Sequence, residues 1–307
     1  MSSPIILRTT QLGKHYKNRW AAQDINLEVH RGDVFGFLGP NGAGKSTTIR
    51  MILSLIKPTT GSVELFGKNL FTHRELALTD VAGIVEKPDF YLYLSAFRNM
   101  QIAGSLTLGK TPAKEKIFQT LELVGLADRA YDRVKTYSHG MKQRLGIAQA
   151  LLCDPQLILL DEPTNGLDPQ GMKEVRELIK QLSHERGITI FLSSHLLNEV
   201  EQVATRMAII NKGTMIVQGS VEELLKERAN KVLIDVEPKE DALAILAMLD
   251  IVHQPIITND GIAATIEKKN IPVVVQALVE NNFQIFSISP QRSLEDYFLS
   301  VTEETSK

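Results

Sequence analysis

The sequence contains a single cysteine, Cys153, and no excess of charge of either sign. One cysteine cannot form an internal disulfide, so the chain suits a reducing compartment. Cys153 ends an apolar run that starts at Ala150, which predicts a packing role, with a reactive thiol as the alternative. The formal net charge of −2 gives no indication that nucleic acid or an anionic membrane surface is a partner.

Long hydrophobic runs are also missing. No apolar segment approaches the roughly 20 residues that a helix needs to cross a bilayer. Residues 1–10 lack the basic and long apolar parts of a signal peptide. Of the 307 residues, 43% are hydrophobic and 23% are charged, which is typical of a globular chain with a core. If the protein acts at a membrane, we expect another chain to supply the spanning part.

A glycine-rich segment lies between a predicted strand and a predicted helix. Residues 39–46 match the P-loop pattern G-x-x-x-x-G-K-S, with the apolar run 34–38 before them and a helical pattern at 47–56 after them. Loop N–H groups and the helix N-terminus then bind phosphates. We expect Lys45 to reach the outer phosphates and the Ser46 hydroxyl to ligate Mg²⁺. The predicted ATP-binding residues here are Gly39, Pro40, Asn41, Gly42, Ala43, Gly44, Lys45, Ser46 and Thr47.

Two acidic residues and a histidine follow two further apolar runs. Asp161 and Glu162 come after 157–160, and His195 follows shortly after 189–192. Alone, such an acidic pair is more often an exposed turn, and a lone histidine is more often structural. Beside a P-loop, the first acid can hold Mg²⁺ and the second can polarise the attacking water. The predicted catalytic residues are therefore Glu162 as base, His195 at the γ-phosphate, and Lys45.

The periodicity of the chain predicts an α/β fold for residues 1–229. Antiparallel strands are expected at 5–10 and 24–29, with Tyr16 in a loop between them. A helical insert is expected at about 88–152.

Within the helical insert, Ser138 precedes an amphipathic helix predicted from about Met141 to Leu152. A serine in this place is a natural N-cap. The insert is therefore expected to end in a helix that begins close to Ser138.

Residues 230–307 are predicted to form a small separate domain. Strands are expected at 231–237, 262–267 and 283–288, and helices at 241–249, 271–279 and 293–301. This order suggests an α+β domain of ferredoxin-like type. It contains no constellation of catalytic residue types, so regulation, dimerisation and plain packing remain alternative roles for it.

Across about residues 5–228 the chain resembles the nucleotide-binding subunit of an ABC transporter. Six motifs occur in the family's order: the A-loop tyrosine at Tyr16, Walker A at 39–47, the signature at 137–144, Walker B at 157–162, the D-loop at 165–169, and the switch histidine at His195. The resemblance implies a P-loop NTPase core with an antiparallel β subdomain and a helical subdomain. It also implies that Tyr16 stacks on adenine.

The same resemblance implies a pair of ATP-binding subunits, as a homodimer or a pseudo-dimer, on a separate permease. ATP on one P-loop is covered by the partner's signature, here Ser138, His139, Gly140, Met141, Lys142 and Gln143. The D-loop contains Asn165 and Asp168, of which Asp168 links the two sites, and Mg²⁺ is held by Ser46, Asp161 and Glu86. The implied location is the cytoplasmic face of the cell membrane, bound through the permease.

Three features depart from the usual family pattern. Tyr137, His139 and Met141 replace the leucine, the first glycine and the glutamine of the LSGGQ signature. Glu86 stands at the position of the Q-loop glutamine, and the C-terminal extension is additional. The first two departures resemble the bacitracin and lantibiotic immunity exporters.

The function predicted from this resemblance is ATP-driven export of a peptide antibiotic. The alternatives are another drug, ion or lipid as substrate, an importer subunit, a chain that binds ATP without useful turnover, and a non-transport ABC ATPase. The last is disfavoured, because the interval between Walker A and Walker B is too short for the coiled coil of repair relatives. Translation relatives usually carry two ATPase units, and only one P-loop is present here.

Overall fold

A computed structural model describes residues 3–226 and 231–290 of the chain. The chain divides between Gly219 and Ser220 into two units. The boundary predicted at residues 229–230 lies outside the described residues, as does the helix predicted at 293–301.

The first unit contains eleven strands in one sheet. They are β1 (Ile5–Tyr16), β2 (Arg19–Ile25), β3 (Glu28–His30), β4 (Val34–Leu38), β5 (Thr60–Leu65), β6 (Lys68–Asn69), β7 (Val81–Ile84), β8 (Leu157–Asp161), β9 (Thr189–Ser194), β10 (Arg206–Asn211) and β11 (Thr214–Ser220). The sheet order is β6-β5-β1-β2-β11-β10-β4-β9-β8-β7, with β3 paired to β1. The β1 side is antiparallel, whereas β10, β4, β9, β8 and β7 run parallel.

The helices of the first part of the chain connect these strands. They are α1 (Lys45–Ile52), α2 (Arg74–Leu78), α3 (Ala96–Leu108), α4 (Lys114–Leu123), α5 (His139–Leu151), α6 (Pro169–Arg186) and α7 (Leu197–Glu201), and α8 (Val221–Lys226) follows β11. The predicted helical insert corresponds to α3, α4 and α5. None of the helices in the described part of the chain is long and apolar enough to cross a bilayer.

The complete burial of the central parallel strands explains why the sequence predicted them. Every residue of β4 and β8 is buried, so each appears as a continuous apolar run. Phe35 and Phe37 of β4 pack on Phe191 of β9, with ring centroids 5.4 and 5.5 Å apart. The β4 strand is thereby fixed beside β9, and the loops that follow the two strands leave the sheet at the same edge.

Two strand predictions were wrong at their boundaries. The first strand does not end at residue 10 but continues to Tyr16, which is therefore a strand residue. The strand predicted at 24–29 is two strands, because Asp24 has a positive φ of 51° and the Asn26 amide donates to the Asp24 carbonyl at 3.0 Å. This local side-chain hydrogen bond competes with the sheet ladder and ends β2.

The second unit contains β12 (Lys231–Glu237), α9 (Lys239–Met248), β13 (Val252–Thr258), β14 (Gly261–Ile266), α10 (Ile271–Glu280) and β15 (Gln284–Pro290). The sheet order is β13-β14-β12-β15 with antiparallel pairs, which is the predicted ferredoxin-like arrangement. The sequence pattern missed β13. It is an edge strand that contains Pro255 and buries only Val252, so it lacks the alternation of a half-buried strand.

Candidate functional site

Four loops with predicted site residues meet at one edge of the parallel sheet. The P-loop follows β4, Glu86 follows β7, Glu162 follows β8 and His195 follows β9. These strands are parallel neighbours in the order β4-β9-β8-β7, so their carboxyl ends lie at the same edge. Ligands of open parallel sheets bind at this edge.

The P-loop depends on its glycines for its backbone path. Gly42 and Gly44 have φ values of 80° and 108°, in the left-handed region that favours glycine. A Cβ on Gly44 would lie only 2.3 Å from the Ala21 carbonyl oxygen. Helix α1 starts directly after this turn, so the N–H groups of its first turn lack intrahelical partners and are available to an anion held by the loop.

Lys45 is almost completely buried under the loop, with 5% of its side chain exposed. Its Nζ donates to the Gly39 carbonyl at 2.8 Å and to the Pro40 carbonyl at 3.3 Å. The same Nζ lies 3.1 Å from Oε1 of Glu162. The ammonium group is therefore held inside the P-loop and directed at the acid that follows β8.

Glu162 contacts both of the other predicted catalytic residues, Lys45 and His195. Besides its ion pair with Lys45, its Oε2 lies 2.6 Å from Nδ1 of His195. Glu162 itself has a positive φ of 51°, and its side chain is 18% exposed. A carboxylate fixed between a cation and an imidazole and still partly open to solvent fits the role of a general base.

Ser193 supports this acid pair, although sequence reasoning did not select it. Its Oγ donates to Oδ1 of Asp161 at 2.6 Å and accepts the backbone N–H of Glu162 at 2.9 Å. Asp161 and Ser193 face each other in the β8–β9 register. The only signal in the sequence is a hydroxyl residue at the end of an apolar run, which is too common to be decisive.

The donor set suits Mg²⁺ bound together with phosphates. Ser46 is the second residue of α1, next to Lys45, and Asp161 is the last residue of β8 at the same sheet edge. Among the described residues, no group of three or more His, Cys, Asp or Glu side chains is arranged to hold a metal. Mg²⁺ typically takes only one or two carboxylates and fills its other positions with substrate oxygens and waters, so the set fits.

Glu86 is placed differently from the other predicted ligands. Its carboxylate forms an ion pair with Arg50 of α1, and 69% of its side chain is exposed. No hydrogen bond or ion pair joins it to Ser46 or Asp161 in the described part of the chain. A metal-binding role for Glu86 therefore stays a prediction.

The signature residues lie at the start of α5. Ser138 is the N-cap, as predicted, and its Oγ accepts the N–H of Met141 at 3.2 Å. Ser138 and His139 are exposed, whereas Gly140 is buried against Gly171 of α6. Lys142 and Gln143 follow on the same helix, half-buried. No hydrogen bond or ion pair connects residues 138–143 to Lys45 or Glu162 within the described ranges.

The D-loop residues link Walker B to the signature. The N–H of Asn165 donates to the Glu162 carbonyl at 3.1 Å. Asp168 caps α6, its Oδ1 accepting the N–H of Gly171 at 3.1 Å. Because Gly171 also packs against Gly140, the D-loop and the signature are neighbours in one subunit.

Tyr137 opens the signature and is held as a neutral phenol. Its hydroxyl donates to the Arg129 carbonyl at 2.7 Å. Burial, together with the negative charge of Asp132, raises the pKa of Tyr137 to about 12. The hydroxyl therefore remains a donor throughout the physiological range and anchors the loop ahead of α5.

Tyr16 ends β1 with 45% of its surface exposed, and Nζ of Lys14 lies 5.2 Å from its ring centroid. An exposed ring face suits the predicted stacking on a base.

The fold and this geometry define a P-loop nucleoside triphosphatase: a phosphate loop, its buried lysine, an acid pair and a histidine at one sheet edge. Comparison with known proteins refines the class. The model of the ABC transporter family matches residues 22–165. The chain is 41% identical over 298 residues to the bacitracin transport ATP-binding protein BcrA of Bacillus licheniformis, covering 96% of this chain and 97% of that protein.

A second relative and a solved structure agree with this match. The uncharacterized ABC transporter ATP-binding protein YhcH of Bacillus subtilis strain 168 is 40% identical over 301 residues, which cover 98% of this chain and 97% of that protein. The ADP conformation of MJ1267, an ATP-binding cassette of an ABC transporter, superposes with a TM-score of 0.67 at 25% identity, covering 74% of this chain and 95% of that one. The chain belongs to the ATP-binding proteins of ABC transporters, as its motifs predicted.

Proposed function

We propose that this chain hydrolyses ATP to power export of a peptide antibiotic, with bacitracin as the first candidate, through a separate membrane permease. The observation that carries the proposal is Glu162, held between Nζ of Lys45 at 3.1 Å and Nδ1 of His195 at 2.6 Å. This is the arrangement that γ-phosphate hydrolysis needs: a base, a cation at the phosphates, and a histidine beside the base.

In the proposed reaction, Glu162 orients the attacking water toward the γ-phosphate and takes its proton as the new P–O bond forms, while the bond from the γ-phosphorus to the bridging oxygen breaks and ADP leaves. Lys45 shifts from the loop carbonyls to the β- and γ-phosphate oxygens, and His195 donates a hydrogen bond to the γ-phosphate. Ser46 and Asp161 would hold Mg²⁺, which would neutralise negative charge on the phosphates when bound. Ser193 keeps the two acids in register through its two hydrogen bonds.

Each site is proposed to be completed by a second ATP-binding subunit. Ser138 and His139 are exposed at the N-terminus of α5, and this positive helix end suits a phosphate presented from outside. ATP then favours the closed pair because its γ-phosphate contacts both chains, whereas ADP does not.

The permease is proposed to contact the helical insert after Glu86. Tyr91, Leu92 and Tyr93 form an exposed apolar stretch there, with 53%, 44% and 72% of their surfaces accessible. Apolar groups that are exposed together mark interaction surfaces. This contact would place the protein at the cytoplasmic face of the membrane.

The test is to express the chain with candidate permease subunits and to measure phosphate release together with susceptibility to bacitracin and to lantibiotics. We expect ATP-dependent phosphate release and raised resistance that is lost with Lys45→Ala. Turnover without resistance to bacitracin or to lantibiotics would reject the substrate and leave another drug, ion or lipid. No phosphate release by the complex would reject the ATPase.

Glu86→Gln is expected to leave the fold and basal ATP hydrolysis nearly intact but to weaken coupling to the permease. The ion pair that it removes, with Arg50, is solvent-exposed, so the loss of stability should stay below about 1 kcal/mol. The permease-stimulated rate of ATP hydrolysis should fall about tenfold, which is within the usual range of coupling between two sites. Thermal melts and ATPase rates with and without permease measure both effects.

The matched control for this variant is Glu28→Gln, which removes another exposed ion pair, with Arg8. Glu28→Gln should change neither the basal nor the permease-stimulated rate of ATP hydrolysis. Equal effects of the two substitutions on coupling would contradict a special role for Glu86.

A further inference from the structure

A nearly buried ion pair joins α6 to α7, the short helix that follows His195. Nη1 of Arg176 lies 2.6 Å from Oε1 of Glu199, and only 16% and 12% of these side chains are exposed. None of the predicted site residues belongs to this pair. Its position relative to His195 suggests what it does.

Glu199 lies four residues after His195 on a segment that is tied down at several points. Oγ of Ser194 accepts the N–H of Leu196 at 2.9 Å and donates to its carbonyl at 3.2 Å. Val200 packs against β4 so closely that a Cβ on Gly36 would lie 2.2 Å from its Cγ1. These contacts restrain the segment from Ser194 to Val200, so we expect a displacement of Glu199 to move His195.

Arg176 lies on the helix that starts at the D-loop. Asp168 caps α6, and Arg176 is eight residues further on, a distance of about 12 Å along a helix. The ion pair therefore connects the helix that carries Asp168 to the segment that carries His195. Both ends of this connection are residues expected at the ATP site.

Stability alone is a poor explanation for the pair. Replacing a buried ion pair with apolar side chains of similar size is often neutral or stabilising. In the described structure, Oε2 of Glu199 is also buried without a hydrogen-bond partner, which is a further cost. The pair does, however, fix one geometry between the two elements.

We propose that Arg176 and Glu199 are positioning residues that hold His195 against Glu162, with Arg176 setting the place of α7 relative to α6. This role rests on the proposed ATPase function. The pair acts through His195, so its loss should impair the hydrolysis step and leave ATP binding at the P-loop unchanged.

The main test is the double variant Arg176→Met/Glu199→Met, which removes the pair without leaving a buried unpaired charge. In the purified full chain we expect kcat to fall about tenfold and KM for ATP to stay within about twofold, because an interaction made only in the transition state is lost. Glu199→Gln, which keeps the acceptor for Arg176, should retain kcat within about threefold. A double variant with unchanged kcat would overturn the proposal.

Two comparisons separate positioning from general structural damage. Placed in a His195→Ala background, the double variant should cause no further loss of kcat, because residues that act through one group are not additive. Glu177→Ala, which removes an exposed pair with Lys180 on the same helix, should leave kcat unchanged. An undiminished loss without His195, or an equal loss from Glu177→Ala, would contradict positioning.

Hydrogen exchange tests the same idea without turnover. The double variant should raise exchange in the peptide that covers residues 195–201 at least about fivefold, with β9 and α6 unchanged, because the effect is a local opening. Unchanged exchange at 195–201, or a rise across the whole chain, would count against the proposal. If the wild-type protein does not hydrolyse ATP, the proposed function fails, whereas this measurement still decides whether the pair holds the His195 segment.

Discussion

Glu162→Gln is expected to lower kcat of ATP hydrolysis by about a hundred- to ten-thousandfold, the usual contribution of a positioned general base. The amide keeps the shape of the side chain, but it cannot take the proton of the attacking water. ATP binding should persist and become slightly tighter. Nζ of Lys45, now paired with the Glu162 carboxylate at 3.1 Å, loses its anionic competitor for the phosphates. Phosphate release at saturating ATP and a nucleotide-binding titration measure the two effects.

The matched control is Glu177→Gln, an exposed glutamate on α6, which should retain both binding and turnover. Thermal melts of both variants identify any misfolding. In the described part of the chain, no other acidic side chain contacts both Lys45 and His195. Turnover retained in the Glu162 variant could therefore not be assigned to a second base of this kind, and it would remove Glu162 from the role of base.

Among the elements that the sequence predicted well are the parallel strands whose burial is complete. The runs 34–38, 157–160 and 189–192 all proved to be parallel strands, because a strand buried on both faces is apolar at every position. Prediction failed where local chemistry or exposure hid the pattern. Asp24 and Asn26 interrupt a strand by side-chain bonding, and β13 exposes most of its side chains at a sheet edge.

The site was predictable as a set of loops but not as a set of contacts. Residues after successive parallel strands must meet at one edge, which was enough to bring Lys45, Glu162 and His195 together. Which atoms touch depends on strand register and helix packing. Ser193 reaches Asp161 because the two residues are opposite each other in β8 and β9. Arg50 reaches Glu86 across 36 residues of sequence, and no periodicity reports that pairing.

Two inactive variants are expected to restore ATP hydrolysis when they are mixed. Lys45→Ala removes the ammonium group of the P-loop, and Ser138→Arg removes the N-cap of α5 and blocks its exposed N-terminus. Alone, each should retain less than about 1% of wild-type turnover, in line with the loss of an essential electrostatic group. An equal mixture should recover about a quarter, because about half of the dimers of a two-fold pair are mixed and each keeps one intact site of two.

The expected recovery follows from the proposal that the signature of one subunit acts on the ATP bound by the other. In a mixed dimer, the intact P-loop of the Ser138→Arg chain is covered by the intact signature of the Lys45→Ala chain. The control is a mixture of Lys45→Ala with Glu162→Gln. Lys45 and Glu162 touch within one subunit, so each site of that mixed dimer keeps one defect and no turnover should return. Recovery in the control alone, or in neither mixture, would contradict a signature that acts on the partner's ATP. If the signature instead served the P-loop of its own chain, Ser138 and Lys45 would belong to one site. Each chain in the mixture would then carry one defect in its own site, and mixing would restore no turnover.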